Sequence, residues 1–166
     1  MKAGIALGSN VGDRAAHLAA AKRFLFSLHA GPGAPLSSAL YETEPVDCAP
    51  GTGAFVNAVV EIESDLDPSA LLARLSAYEQ QQGRAANRAK NSPRVIDLDL
   101  LYFGDTRLDG PALTLPHPRM TARRFVLQPL CDIRPDLVLP GESLTVAQLL
   151  AALLASPAVR RVDTPW

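Results

Sequence analysis

Apolar and polar side chains alternate along several segments of the chain, as they do in strands of a sheet that is buried on one face. In residues 55–64, FVNAVVEIES, one set consists of Val56, Ala58, Val60 and Ile62, and the opposite set consists of Phe55, Asn57, Val59 and Glu61. Because side chains two residues apart share a face of a strand, this segment predicts a strand. Residues 93–105, PRVIDLDLLYFGD, predict another, and the short apolar segments 2–7 and 36–43 predict two more.

Two longer segments show the spacing of amphipathic helices. The first begins at Asp13 and stops at Gly31, and the second begins at Asp67 and stops at Gly83. Aspartate is a favourable N-cap, and glycine is common just after a helix. The inward-facing apolar positions are Leu18, Ala21, Leu25 and Leu28 in the first helix and Leu71, Leu72 and Leu75 in the second. A capping box at 145–148 predicts a third helix near the C-terminus.

Up to residue 103 the predicted order is β-α-β-β-α-β, which is typical of a ferredoxin-like α+β domain. In that fold both helices cover one face of an antiparallel sheet and leave the other face open. We therefore predict an antiparallel sheet with helices on one face, followed by a C-terminal extension that adds to the sheet and contributes helices.

Two aspartates interrupt the most apolar predicted strand, at Asp97 and Asp99. The alternating residues Ile96, Leu98 and Leu100 must pack under the helices, so the two carboxylates lie side by side on the open face. Like charges this close raise a pKa unless a cation neutralises them, and Mg²⁺ bridged to phosphates prefers such hard oxygen ligands. The alternative is a half-exposed strand whose solvent face happens to be acidic, although aspartate is disfavoured in strands.

Basic residues lie on both sides of this strand. The preceding loop contains Arg84, Arg88, Lys90 and Arg94, and the segment after the strand contains Arg119, Arg123 and Arg124. Arginine suits phosphate oxygens, so paired carboxylates between two such clusters indicate a metal-bound polyphosphate nucleotide. Either cluster alone would also be consistent with a solvated charged surface.

The remaining polar candidates lie on the open face or in a stiff loop. Phe55 and Asn57 share one strand face, and Tyr41 and Thr43 end another strand. An aromatic ring and an amide can stack on and hydrogen-bond a flat heterocycle, although Phe55 alone is also consistent with simple packing. His117 lies between two prolines and is either a phosphate donor or a surface histidine.

Length and charge limit the classes of protein that remain. The 166 residues fit one domain, 1–166, and the net charge of −1 argues against nucleic-acid and membrane-surface partners. Cys48 and Cys131 form neither a metal motif nor a disulfide framework, and no apolar run is long enough for a signal peptide or a membrane span. We expect a soluble, cytoplasmic protein. No P-loop and no G-x-G-x-x-G motif is present.

Several segments together resemble one enzyme family along nearly the whole chain. They are ALGSNVGDR, YETEPV, FVNAVVEIES, EQQQGR, PRVIDLDLLYFGD, LTLPHPRM and RRFVLQPLCDI. In this order they are similar to the 6-hydroxymethyl-7,8-dihydropterin pyrophosphokinases of folate biosynthesis. The resemblance implies transfer of pyrophosphate from ATP to the hydroxymethyl group of the dihydropterin, with release of AMP, by a cytoplasmic and monomeric enzyme.

The resemblance also implies roles for individual residues. Asp97 and Asp99 would hold two Mg²⁺ ions on the triphosphate and, with Arg84 and Arg94, would form the catalytic set. The nucleotide would be bound by Glu79, Arg84, Arg94, Thr114, His117 and Arg123. The pterin would be bound by Thr43, Glu44, Val46, Phe55, Asn57 and Phe125.

Two other functions are consistent with the same predicted topology. A metal-dependent nucleotidyltransferase also pairs acidic residues on a strand, but it needs a basic groove that the near-neutral charge does not favour. A non-catalytic nucleotide-binding domain would have no need for paired aspartates beside two arginine clusters. Dependence of nucleotide binding on Mg²⁺ distinguishes the latter from an enzyme.

Overall fold

The computed structural model describes residues 1–44, 53–83, 94–155 and 158–166. In these residues the strands are β1 (Lys2–Ser9), β2 (Leu36–Ser37), β3 (Leu40–Thr43), β4 (Phe55–Glu63), β5 (Asp97–Phe103), β6 (Leu108–Asp109), β7 (Thr114–Leu115) and β8 (Val159–Val162). The α-helices are α1 (Arg14–Ser27), α2 (Pro68–Gln81), α3 (Arg124–Ile133) and α4 (Val146–Ala152). A single 3₁₀ turn, Met120–Ala122, precedes α3 in the part of the chain described.

The main sheet is antiparallel and follows the order β5-β1-β4-β3-β8, with β2 also pairing with β4. Strands β6 and β7 form a separate hairpin. The α+β class and the antiparallel sheet are therefore confirmed. The sheet places three segments that are distant in sequence next to one another, with β1 between β4 and β5.

Helices α1 and α2 pack on one face of this sheet, as predicted. Ile96, Leu98 and Leu100 are buried there among the inward-facing leucines of both helices, such as Leu25 and Leu71. The helix starts are also as predicted. The side chain of Asp13 accepts a hydrogen bond from the Ala16 amide at 3.0 Å, and that of Asp67 accepts one from the Ala70 amide at 2.9 Å. The carboxylates of Asp97 and Asp99 therefore lie on the opposite face of β5.

The prediction that helices lie on one face only is wrong, because α3 and α4 cover part of the second face. Helix α3 buries Leu127 and Leu130 against Val59 of β4 and Leu101 of β5. Strand β4 is apolar on both faces at its centre, and the pairing of β1 with β5 shifts between Gly4 and Ile5. Adjacent residues of a regular strand point to opposite faces, but after this shift Leu101 and Tyr102 both lie in the core cluster beneath α3. The apolar surface that α3 covers is therefore larger.

The segment predicted as one strand over 36–43 is interrupted at Ser38. Its hydroxyl accepts a hydrogen bond from the Val59 amide at 3.0 Å, and its own amide donates to the Val59 carbonyl at 2.9 Å. The indole of Trp166 donates to the Ser38 carbonyl at 2.9 Å, next to the point where β8 pairs with β3. The C-terminal residues therefore extend the sheet and cover the interruption.

Polar groups lie between α3 and the sheet at the C-terminal end of the helix. Glu61 of β4, only 4% exposed, accepts hydrogen bonds from Arg134 at 3.0 Å and from the Tyr102 hydroxyl at 2.5 Å. On β3, the Tyr41 hydroxyl donates to the Asp132 carboxylate at 2.8 and 2.9 Å. Burial and these carboxylates raise the pKa of Tyr102 and raise the pKa of Tyr41 to about 12.

Alkaline titration tests this environment. The chain has three tyrosines, and burial raises the pKa of the third, Tyr78, as well. We expect Tyr41 and Tyr102 to stay protonated near pH 10, where a free tyrosine is half ionised, so that the native protein shows less phenolate absorbance than three free tyrosines. Because the unfolded chain releases its phenolic protons first, stability should fall as the pH rises from about 10 to 12. Ionisation of two tyrosines near pH 10 with the fold intact would contradict the structure, because at least one of them would be Tyr41 or Tyr102.

Candidate active site

The register of three strands aligns the predicted polar residues in a row across the sheet. Gly8 of β1 pairs with Asp97 on one side and with Asn57 on the other, and Asn57 pairs in turn with Tyr41 of β3. Two residues along, Ala6 pairs with Asp99. Because β1 contributes only Gly8 and Ala6 to this face, the carboxylates and the amide face a shallow space between them.

A cavity of about 150 Å³ lies over this row. Nine of the predicted site residues line it: Thr43, Glu44, Phe55, Asn57, Arg94, Asp97, Asp99, Arg123 and Phe125. Further lining is provided by Ala6, Leu7, Gly8, Ala58 and Val126, which sequence reasoning did not single out. The structure therefore brings together, in one cavity, most of the residues predicted for metal, phosphate and pterin.

The two aspartates differ in their surroundings. Arg94 donates from Nη1 to Asp97 Oδ2 at 2.5 Å, and both side chains are partly exposed. Burial raises the pKa of Asp99, and the negative charge of Asp97 raises it further, whereas His117, Arg123 and Arg94 act in the opposite direction. Asp99 is thus a half-buried carboxylate whose charge the nearby cations offset only in part.

These carboxylates fit a divalent cation that shares its coordination with a ligand. Among the described residues, no group of three or more His, Cys, Asp or Glu side chains is placed to hold a metal by itself. Mg²⁺ is commonly bound by one or two carboxylates with substrate phosphates and water supplying the rest. Asp97 and Asp99 supply that number of ligands, and a cation between them would relieve the repulsion that raises the pKa of Asp99.

The backbone of Arg94 is fixed by Asn10, a residue that sequence reasoning did not identify. The backbone N–H of Asn10 donates to the backbone carbonyl of Arg94 at 3.1 Å. The backbone N–H of Arg94 donates to the side-chain Oδ1 of Asn10 at 2.7 Å. Asn10 directly follows β1, in the turn GSN. The signal was present, since asparagine side chains commonly hydrogen-bond backbone groups in turns, but its partner is 84 residues away.

His117 lies beside the metal-ligand candidates without lining the cavity. Its backbone amide donates to the Leu101 carbonyl at 2.7 Å, and its Nδ1 accepts from the Arg119 amide at 3.2 Å. Nε2 therefore carries the proton in the neutral ring. Burial lowers the pKa of His117, although the charge of Asp99 acts in the opposite direction. The side chain is suited to donate a hydrogen bond to an anion near Asp99.

Glu79 and Thr114 do not line the cavity. Glu79 of α2 is 5% exposed and accepts a hydrogen bond from the Leu98 amide at 2.8 Å, under the edge strand β5. Thr114 lies in the β6–β7 hairpin and donates weakly to the Gly110 carbonyl at 3.5 Å. Arg84 and Val46, which were predicted for phosphate and pterin, lie outside the described residues.

The part of the cavity predicted for pterin has a fixed amide and two aromatic rings. Asn57 is 6% exposed, and its Nδ2 donates to Thr43 Oγ1 at 2.8 Å. This bond sets the orientation of the amide and leaves Oδ1 as an acceptor. Phe55 and Phe125 also line the cavity, and the Arg123 guanidinium lies 5.5 Å from the Phe125 ring centre. A flat, nitrogen-rich ring matches this set of groups.

Comparison with known proteins identifies the family. Residues 4–135 match the family model described as 7,8-dihydro-6-hydroxymethylpterin-pyrophosphokinase (HPPK). The chain belongs to the HPPK family. HPPK enzymes transfer pyrophosphate from ATP to hydroxymethyldihydropterin in folate synthesis. The resemblance noted in the sequence is thus confirmed.

Two relatives of similar length and one longer protein support this assignment. The chain is 41% identical over 150 residues to the 2-amino-4-hydroxy-6-hydroxymethyldihydropteridine pyrophosphokinase of Pseudomonas aeruginosa, covering 89% of each chain. It is 40% identical over 164 residues to the Methylorubrum extorquens protein of the same name, covering 98% of this chain and 99% of that one. Among plants, the Arabidopsis thaliana folate synthesis bifunctional protein is 39% identical over 129 residues, which are 78% of this chain and 26% of that one.

A solved structure shows the same fold. A crystal structure of an HPPK-DHPS in complex with substrates superposes with a TM-score of 0.71 at 15% identity. The match covers 90% of this chain and 42% of the chain in that crystal structure, so this chain spans less than half of it.

Among the residues described, no helix is long and apolar enough to cross a membrane.

Proposed function

We propose that this chain transfers the β,γ-pyrophosphoryl group of ATP to the hydroxymethyl oxygen of 6-hydroxymethyl-7,8-dihydropterin in a Mg²⁺-dependent reaction that releases AMP. The observation that carries this proposal is the single cavity in which Asp97 and Asp99 lie beside Arg94 and Arg123. Phosphoryl transfer depends mainly on alignment and charge neutralisation, which these four groups are placed to provide.

The phosphate groups bind at the end of the cavity where β5 begins. Asp97 and Asp99 would hold two Mg²⁺ ions, and such ions would supply charge neutralisation for the triphosphate and the leaving AMP. Arg94, held by Asn10, contacts the phosphates from one side. The other nucleotide contacts come from Arg84, Arg123 and His117, with Thr114 and Glu79 near the nucleotide.

The dihydropterin binds at the other end, between Phe55 and Phe125. Asn57 Oδ1 accepts from the ring edge, because its Nδ2 already donates to Thr43. The backbone near Glu44 and Val46 completes the pterin contacts. A pterin held in this way lies in the same row as Asp97, so that its hydroxymethyl group can reach the phosphates.

The remaining finer assignments are proposals of the same kind. The first strands and helices take the ferredoxin-like arrangement, and α3, α4 and β8 form the C-terminal extension. Residues 1–166 act as one pyrophosphokinase domain, as a monomer and in the cytoplasm, without nucleic-acid or membrane partners.

The nucleotide product tests the proposed function. Purified protein is incubated with ATP, Mg²⁺ and 6-hydroxymethyl-7,8-dihydropterin, and the nucleotides are separated. We expect AMP that forms only when the dihydropterin is present and that disappears when EDTA removes the metal. ADP would indicate transfer of a single phosphoryl group, and free pyrophosphate without the pterin diphosphate would indicate nucleotidyl transfer. ATP binding that does not depend on Mg²⁺, without any turnover, would indicate a non-catalytic nucleotide-binding domain, whereas Mg²⁺-dependent ATP binding without turnover would mean that the dihydropterin is not the acceptor substrate.

A further inference from the structure

The contact between α3 and the sheet combines an apolar centre with an ion pair whose carboxylate is buried and whose arginine is partly exposed. Leu127 and Leu130 pack against Val59 at the centre. At the C-terminal end of the helix, Arg134 donates from Nε to both oxygens of Glu61 at 3.0 Å, and its Nη2 donates to Oε1. The sequence separation of the pair is 73 residues, so it joins α3 to β4 as a tertiary contact.

Tyr102 completes this polar cluster. Its hydroxyl donates to Glu61 Oε2 at 2.5 Å, and its ring lies over Gly4, where a Cβ atom would approach within 2.2 Å of the ring. Tyr102 is 2% exposed and Glu61 is 4% exposed. The cluster of Glu61, Tyr102 and Arg134 therefore links α3 to two strands at a buried point, with the position of the tyrosine set by the close approach to β1.

The opposite end of α3 forms part of the active-site cavity. Phe125 and Val126, in the first turn of the helix, line the cavity together with Arg123, which immediately precedes it. The helix is ten residues, or about 15 Å, long. Glu61 shares its strand and its strand face with Asn57. One strand and one helix thus connect the ion pair to both walls of the proposed pterin site.

Apolar packing and an ion pair constrain a helix in different ways. Apolar contacts are non-directional, so α3 could slide or rotate slightly on Val59 and Leu101 at small cost. The fork of an arginine on a carboxylate fixes both distance and direction. On the proposed function, we infer that Glu61 and Arg134 are positioning residues: they hold α3 in the register that sets the separation between Phe125 and the sheet.

A second hydrogen-bonded contact, made by Asp132, also holds the C-terminal end of α3 on the sheet. Asp132 accepts from the Tyr41 hydroxyl and, at 3.2 Å, from the Ala39 amide. Tyr41 lies two residues before Thr43 on the same face of β3. Asp132 is itself exposed, so this contact is the weaker of the two. The polar contacts of α3 with β3 and β4 therefore lie at the end of the helix away from the cavity.

The test must separate an effect on the position of α3 from an effect on the stability of the folded protein. A buried ion pair often adds little to stability compared with apolar residues of similar size, whereas removing one partner leaves an unpaired charge. The informative variant is therefore Glu61→Leu/Tyr102→Phe/Arg134→Met, which removes all three polar groups together. A matched control is Asp136→Asn, which changes an exposed charge two residues after Arg134.

Steady-state kinetics with the dihydropterin and ATP varied separately give the readout. We expect the triple variant to melt at or above the wild-type temperature while its KM for dihydropterin rises about tenfold, because small displacements of a binding wall are costly. The KM for ATP should change less, since Asp97, Asp99 and Arg94 are held by other elements. The Asp136→Asn control should match the wild type in both constants.

An unchanged KM for dihydropterin would overturn the positioning role of Glu61 and Arg134. A triple variant that folds and keeps the wild-type KM for dihydropterin would overturn the inference. If the triple variant does not fold, Arg134→Lys takes its place, because it keeps the charge and loses the fork; an unchanged dihydropterin KM in that variant would overturn the inference equally. Absence of wild-type turnover would instead refute the proposed function, so the two failures are distinguishable.

Discussion

An Asp99→Ala variant should lose about a thousandfold of kcat/KM for AMP formation, in the range measured when one preorganised charge-stabilising group is removed from an active site. Asp99 is half-buried, and it lies among Arg94, Arg123 and His117. Removing it takes away one of the two negative charges beside these cations and leaves Asp97 as the one remaining carboxylate of the pair. An Asp99→Asn variant should lose a similar amount, because the amide keeps the shape but not the charge.

Stability distinguishes this effect from simple unfolding. Burial and the charge of Asp97 raise the pKa of Asp99, so the folded state carries a cost for its ionised form at pH 7. Asp99→Ala should therefore unfold at the same temperature as the wild type or higher, while losing activity. The control Asp109→Ala removes an exposed carboxylate of β6 and should keep full activity. Activity near the wild-type level in Asp99→Ala would refute the proposed role of the pair.

The position of the carboxylates could be predicted because it depends on a short-range rule. Side chains alternate along a strand, so Ile96, Leu98 and Leu100 facing the helices require Asp97 and Asp99 to face away from them. The helix starts at Asp13 and Asp67 depend on equally local hydrogen bonds. Both kinds of signal lie within a few residues of the groups they position.

Helix α3 was not predicted, although its buried residues Val126, Leu127 and Leu130 recur at helical spacing. The segment contains Pro129 and two arginines, Arg123 and Arg124, and its helical state is stabilised by contacts with Val59 and Leu101. Those contacts become available because β4 is apolar on both faces and the pairing of β5 shifts near Leu101. The helical spacing was thus present in the sequence, but Pro129 argued against a helix and the open face of the sheet was expected to have no apolar surface for it to cover.

Long-range hydrogen bonds are also missing from sequence reasoning. Nothing near Asn10 indicates that it binds the backbone of Arg94, and nothing near Glu61 indicates Arg134 as its partner. Glu79 is a third example: the resemblance implies a place near the nucleotide, and the structure shows in addition that its carboxylate accepts a hydrogen bond from the Leu98 amide. A buried carboxylate can satisfy an edge strand as readily as it can bind a ligand.

Removing Arg134 alone should destabilise the protein by about 3 kcal/mol, at the low end of the range for deleting one partner of a buried ion pair, because Glu61 is buried but the Arg134 side chain is 32% exposed. In Arg134→Met the carboxylate of Glu61 stays buried and keeps the Tyr102 hydroxyl as its hydrogen-bond donor. One neutral hydrogen bond does not compensate for the desolvation of a charge. Urea denaturation at pH 7 measures the change in the free energy of unfolding.

The exposed ion pair between Arg160 and Glu42 is the control for Arg134→Met. Arg160 Nη2 lies 3.5 Å from Glu42 Oε1 with its side chain 70% exposed, so Arg160→Met should cost about 1 kcal/mol or less. A loss of the same small size in Arg134→Met would mean that water reaches Glu61 and that the pair is not buried in solution. A large loss in Arg134→Met, together with the undiminished stability expected when Glu61, Tyr102 and Arg134 are replaced together, would show that the cost arises from the unpaired charge. Stability would then not explain why the cluster is present, and its directional hold on α3 would remain as its contribution.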